Sequence, residues 1–189
     1  MQWVLFPRLK DPCILNSMDH NKQYSTWVEI DLEAIELHVR WVRERTQAQV
    51  MAVVKANGYG HGAVAVAQAA LRGGATWCGV ARIEEALQLR QAGIDCPLLL
   101  LGYLPPAHLE QAIAGQISLP VWSEEQVEQA ARAAGKVGLP ARLHLKVDTG
   151  MSRLGVQAEG AMQLARRIGR TRGVSRITGA VDGTRNGST

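Results

Sequence analysis

From Trp27 onward, short runs rich in β-branched and other apolar residues alternate with longer stretches whose apolar positions recur every three or four residues. The short runs, at residues 27–30, 50–54, 77–80, 97–101, 117–121 and 141–147, predict strands. The longer stretches, at residues 32–45, 63–71, 83–92, 105–114, 124–134 and 158–168, predict helices. Such alternation is the mark of βα units, an α/β chain with a parallel sheet covered by helices. Punctuation supports it. Ser123 precedes Glu124, Glu125 and Gln126, so Ser123 can accept a free backbone N–H while Gln126 reaches back to the cap. Gly73-Gly74, Gly93 and Gly135 fall where helices should end in a left-handed residue. The units are unevenly spaced and their residues do not recur, which excludes a solenoid. A (β/α) barrel and a doubly wound sheet both remain. On the barrel reading strands are missing, because 189 residues fall short of the roughly 250 of an eight-fold barrel.

Composition narrows the function classes. With 47% hydrophobic and 20% charged residues the chain reads as a soluble globular protein with a real core. The net charge of +4 is dispersed rather than gathered into a basic run with interleaved aromatics, so nucleic acid is not an expected partner. Pro7, Arg8, Lys10 and Asp11 interrupt the apolar start, which is not an export signal. No later run approaches the roughly 20 apolar residues of a membrane span, and a cytoplasmic protein is expected. Cys13, Cys78 and Cys96 are odd in number, far apart in sequence and without a C-x-x-C pair or histidines at ligand spacing. Three reduced thiols and no metal follow.

Candidate chemistry concentrates in two stretches. In Ala52-Val-Val-Lys55-Ala-Asn-Gly-Tyr59-Gly-His61-Gly62 an apolar strand ends at a lysine, and a glycine-rich turn feeds the next helix. Ligands of parallel α/β folds bind at the C-terminal ends of strands, so Lys55 stands at the functional rim. Partial burial there would penalise the ammonium form and leave an amine able to condense with an aldehyde. Gly58, Gly60 and Gly62 would let backbone N–H groups approach an anion such as a phosphate. A lysine snorkelling from a strand end beside an ordinary turn has the same spacing. In the second stretch, residues 143–155, alternation puts Leu143, Leu145 and Val147 on one strand face and His144, Lys146 and Asp148 on the other, facing a site. A Lys146–Asp148 ion pair with Arg153 on a solvated loop would fit that spacing too.

Both stretches carry a resemblance. Val-Val-Lys-Ala-Asn-Gly-Tyr-Gly-His-Gly closely matches the lysine motif of alanine racemases, fold-type III enzymes dependent on pyridoxal 5′-phosphate (PLP), and residues 143–155 are similar to their second signature. The resemblance implies that Lys55 carries PLP and is one of two catalytic bases, and that Tyr59 contacts the cofactor phosphate. It implies no direct role for His61. It implies that Arg153 bonds the phenolic oxygen of PLP, and that Lys146, often carbamylated in the family, fixes the Arg153 guanidinium as an anion would. More weakly, residues 27–35 resemble the start of the family's first helix, and residues 98–102 resemble the strand whose Leu101 lines the cofactor pocket, although an apolar residue at a strand end is as readily core.

The resemblance runs over residues 25–173. It implies an incomplete (β/α)8 TIM-barrel-type domain of about six βα units, with 1–24 a disordered extension, 174–189 a divergent, disordered tail, and the C-terminal β domain with its second base absent. The implied function is interconversion of L- and D-alanine by a PLP-dependent isomerase of a homodimeric family, with little activity expected from this chain alone. A PLP-binding barrel without racemase activity, of the PLP-homeostasis type, is the other reading, and the second signature stands against it.

Overall fold

The computed structural model describes residues 28–182. Five of the predicted runs become strands, β1 (Met51–Val53), β2 (Trp77–Val80), β3 (Leu98–Leu100), β4 (Ile117–Val121) and β5 (Ala141–Asp148), and a further strand, β6 (Val174–Asp182), follows them. Each pairs in parallel with its successor, giving one sheet in chain order. That order separates the two architectures left open by the sequence pattern. A doubly wound sheet reverses its strand order partway across, whereas a sheet that grows in one direction is wound as a (β/α) barrel is. The helices are α1 (Leu32–Thr46), the short α2 (Lys55–Tyr59), α3 (Ala63–Arg72), α4 (Ile83–Gln91), α5 (Leu109–Ala114), α6 (Glu124–Val137) and α7 (Ala158–Arg170), with a 3₁₀ turn at Pro106–His108.

The two faces of the sheet differ in chemistry. Val80, Leu98, Leu100, Leu119 and Leu143 alternate onto the helix side, where they are at most 2% exposed and join a core with Ala86, Leu89, Val127 and Ala130. Burying one such leucine side chain contributes about 1.5–3 kcal/mol, and the alanines let helix backbones approach the sheet closely. On the opposite face the register pairs Gly79 with Leu99, Leu99 with Ser118, and Pro120 with His144. A Cβ at Gly79 would meet Met51 Sδ at 3.1 Å and Leu101 Cδ1 at 3.4 Å, so glycine is what lets these neighbours share that face. His144 and Lys146 are buried there, the imidazole meeting the Trp77 ring edge-on at 5.6 Å and 83°.

Some expectations are corrected. Residues 28–30 form neither helix nor strand, and Trp27 lies outside the described residues. The expected 105–114 helix becomes the 3₁₀ turn and α5, and Pro105 stays outside it at φ −59° and ψ 143°, because the following Pro106 disfavours the helical region for the residue before it. Gly135 is internal to α6, and the left-handed cap is Gly138 at φ 76°. Ser123 accepts from the Gln126 N–H at 3.3 Å, but the Gln126 side chain accepts from Trp122, one residue before the cap. The chain does not leave the sheet after residue 173, since β6 pairs with β5 from Val174 to Asp182. The expected tail from 183 and the extension over 1–24 lie outside the described residues. Cys78 and Cys96, far apart in sequence, come together as free thiols in a hydrogen bond beside Arg90.

Candidate active site

Lys55 follows β1 after a single residue, Val54, and opens α2, most of which is a left-handed turn. Ala56, Asn57 and Gly58 sit at φ 51°, 53° and 64°. Positive φ is costly for residues bearing a Cβ, and asparagine tolerates it best among them. The turn is tied internally, Gly58 N–H donating to Val54 O at 2.8 Å, Gly60 N–H to Ala56 O at 3.1 Å and Gly62 N–H to Asn57 O at 2.9 Å. All three glycine donors are therefore engaged inside the turn, which overturns the expectation that they face an anion. Their use is conformational. The Asn57 side chain accepts from the Ala63 N–H at 3.0 Å, satisfying a donor at the start of α3 that Gly62 leaves without a side-chain cap.

At this end of the strands lies a cavity of about 400 Å³ lined by Lys55, Leu99, Leu101, Pro120, Lys146 and Arg153, with Ala81, Leu100, Gly102 and Leu154 completing it. Four of the residues singled out in sequence, Lys55, Leu101, Lys146 and Arg153, thus share one space. Leu101 is half-buried and serves twice, with its side chain on the cavity and its carbonyl accepting from Lys146 Nζ at 3.1 Å. Lys146 is 7% exposed, so its charge sits in a poorly solvated wall. Tyr59 is exposed and does not line the cavity, its ring centroid 5.8 Å from Lys55 Nζ. His61 lies outside the lining, its Nδ1 at 3.0 Å from Gly58 O.

Arg153 reaches the cavity from an exposed loop after β5, and Asp148 shapes that loop. Its carboxylate accepts from the Gly150 and Ser152 N–H groups, both at 3.0 Å. Those donors, led by Ser152, hold Asp148 below the usual carboxylate range. The loop then returns to β5, where Val156 N–H donates to Lys146 O and Asp148 N–H to Val156 O, each at 2.9 Å. Arg153 Nη2 lies 3.2 Å from Met151 Sδ. Three basic side chains, Lys55, Lys146 and Arg153, among apolar walls suit a small anionic ligand.

Sequence reasoning missed Glu85. Its carboxylate reaches from α4 to the backbone of Ala56, at 2.7 Å. Nothing in a local pattern separates Glu85 from Glu84, since only one contacts a unit that lies 29 residues away.

The chain is similar in sequence and fold to known proteins. Residues 30–181 match the family model described as alanine racemase, N-terminal domain. An alanine racemase of Symbiobacterium thermophilum is 43% identical over 154 residues, covering 81% of this chain and 41% of its own length. Alanine racemase 2 of Oceanobacillus iheyensis is 47% identical over 146 residues, 76% of this chain and 37% of its own. Among solved structures, alanine racemase from E. faecalis superposes with a TM-score of 0.75 at 36% identity, over 82% of this chain and 43% of that one. Histidine racemase from Leuconostoc mesenteroides superposes with a TM-score of 0.69 at 30% identity, over 77% and 41%. The chain spans about two fifths of the length of the curated relatives it matches. With the family model covering nearly all of the described residues, this chain belongs to the alanine racemase N-terminal domain family.

Proposed function

We propose that this chain supplies the cofactor-holding part of an amino-acid racemase that interconverts L- and D-alanine, with pyridoxal 5′-phosphate held on Lys55. The carrying observation is the convergence of Lys55, Lys146 and Arg153 on one apolar-walled cavity at the C-terminal ends of the strands. The donor set fits the group: a phosphate and a phenolate are anions that cations would hold, and Leu99, Leu101 and Pro120 offer apolar surface to a flat ring. When bound, PLP supplies an electron sink that stabilises negative charge at the substrate's Cα. Lys55 would hold the group through its amine and, once released, exchange the Cα proton on its own face. Arg153 would direct its planar fork of donors at the ring oxygen, and Lys146 would steady that region as a cation or as a carbamate. Tyr59, whose ring stands 5.8 Å from Lys55 Nζ, would contact the phosphate.

Alanine is the substrate favoured by the relatives' names, and the superposition on a histidine racemase makes the substrate side chain a point to test. The family's homodimeric state and a cytoplasmic setting are part of the proposal. No helix among the described residues is long and apolar enough to cross a membrane. Inversion needs a second proton-handling group on the opposite face of the planar carbanion. In this reading residues 28–182 supply the Lys55 face, and little turnover is expected from them alone.

The test is incubation of the chain with PLP, borohydride reduction and peptide mapping, alongside an assay of D-alanine formation with Lys55→Ala as control. Label concentrated on Lys55 supports the reading. Label on other lysines with Lys55 unmodified overturns it.

A further inference from the structure

Glu85 sits in the first turn of α4 and is half-buried. One carboxylate oxygen, Oε1, accepts from the Ala56 N–H at 2.7 Å. The other, Oε2, accepts from Ala81 N–H at 2.7 Å and Arg82 N–H at 3.1 Å. The second pair is ordinary local capping at the start of a helix, where free N–H groups favour an anion. The first is not local. It joins the peptide immediately after Lys55 to the neighbouring βα unit.

That peptide needs an external tie. Ala56 and Asn57 hold left-handed backbone conformations although each bears a Cβ, and such conformations persist only where surrounding structure over-determines them. The bonds of Gly58, Gly60, Gly62 and Ala63 all close within residues 54–63, and the backbone bond from there to β2, Val54 N–H to Gly79 O at 2.8 Å, lies before Lys55 and leaves the peptide after it unheld. The Glu85 bond instead fixes the Lys55–Ala56 peptide plane against the end of β2. The direction in which the Lys55 side chain leaves the backbone follows from that plane.

We propose that Glu85 is a positioning residue for the racemase reaction: its carboxylate pins the Lys55–Ala56 peptide and thereby aims the Lys55 amine into the cavity. What the amine does there rests on the reading under Proposed function. The choice of glutamate follows from its chemistry, because a carboxylate accepts on both oxygens while facing three N–H donors. An amide has one accepting oxygen, and its NH₂ would oppose whichever N–H it faced. Aspartate keeps the charge near the start of α4 but is a methylene short of bridging both segments.

The experiment uses the full chain and Glu85→Gln, Glu85→Asp and Ser123→Ala variants. Ser123→Ala removes the N-cap of α6, far along the chain from Lys55, and serves as a control for general loss of stability. The readouts are exchange of the Ala56 amide and the PLP concentration giving half-maximal borohydride labelling of Lys55. In both Glu85 variants, Ala56 exchange and the half-labelling concentration should each rise on the order of tenfold, the scale of one hydrogen bond to a charged acceptor. Ser123→Ala should change neither by more than about twofold. Should Glu85→Gln not fold, Glu85→Asp carries the same comparison. Unchanged Ala56 exchange and labelling in the Glu85 variants, or an equal change in Ser123→Ala, would overturn the proposal. Should the unsubstituted chain leave Lys55 unlabelled, the functional reading fails by itself, and Ala56 exchange still decides whether Glu85 pins the turn.

Discussion

Gly155 closes the loop that presents Arg153, and replacing it with alanine should release that loop while leaving the sheet folded. The residue sits at φ 137°, and a Cβ there would lie 2.5 Å from Asp148 N, 2.9 Å from Val147 C and 3.0 Å from Asp148 Cα. All three atoms are backbone of β5, so no side chain can swing aside. The forbidden conformation costs about 1–3 kcal/mol, and forced overlap in packed surroundings about 1–3 kcal/mol more. Against this stand the two bonds that return the loop to β5, Val156 N–H to Lys146 O and Asp148 N–H to Val156 O. At about 0.5–1.5 kcal/mol each, they hold the loop less strongly than the combined strain pushes it away. Detachment is the cheaper response, so global stability should fall by only about 1–3 kcal/mol, the value of the two bonds lost. Amide exchange at Asp148 and Val156 should accelerate, and half-maximal labelling of Lys55 should need more PLP as Arg153 leaves the cavity. Native protection of both amides in Gly155→Ala, with urea stability unchanged, would refute the reasoning.

Two further outcomes follow from the interior. Leu143→Ala, at a fully buried position between sheet and helices, should lower unfolding free energy by about 2–5 kcal/mol in urea titrations, and a loss under about 1 kcal/mol would mean that the core collapses around the gap. The Cys78 thiol donates to the Cys96 sulfur, which lowers Cys96 to about 7, with Arg90 helping and burial opposing; the same bond and burial push Cys78 up. Because the favoured form of Cys96 is the thiolate, its alkylation by iodoacetamide should climb between about pH 6 and 8 and then level off, where an unperturbed thiol keeps climbing through about 8.5. Continued climbing beyond pH 9, or preferential labelling of Cys78, would contradict that pairing.

How much of this could be read in the sequence depends on where the determining contact lies. The strands from β1 to β5 were legible because their helix-facing positions are apolar at every second residue, as Leu98 and Leu100 or Leu119 and Val121 show. Residues 27–30 carry a similar alternation, yet Val28–Ile30 form no strand. A strand requires a neighbour's ladder, which local preference cannot supply. The reverse holds for β6, whose departure from the family pattern suggested a tail but whose Val174 to Asp182 backbone pairs along β5. Gly135 was misplaced as a cap because two glycines stand three residues apart, and only continuation of α6 through Val137 selects Gly138. Strand order, which separates a barrel from a doubly wound sheet, is a tertiary fact with no local trace.

The site shows the same division at finer scale. Lys55 is legible because a lysine just past an apolar run stands out against its neighbours, and Lys146 because alternation sets it with His144 and Asp148 on the polar face of β5. The glycines were legible as glycines but not in their use. The sequence permits backbone donors for an anion, and the structure engages the N–H groups of Gly58, Gly60 and Gly62 within the turn. A physical consequence follows for any ligand of this cavity. Since those donors cannot be offered without breaking the left-handed turn that carries Lys55, an anion approaching this side would meet side chains instead, such as that of Lys55, whose Nζ lies 5.8 Å from the centroid of the Tyr59 ring. Backbone conformation then acts indirectly, by aiming a side chain rather than by touching the ligand. A contact from outside the turn, such as that of Glu85 with Ala56, can therefore matter to the site although it lies outside the cavity lining.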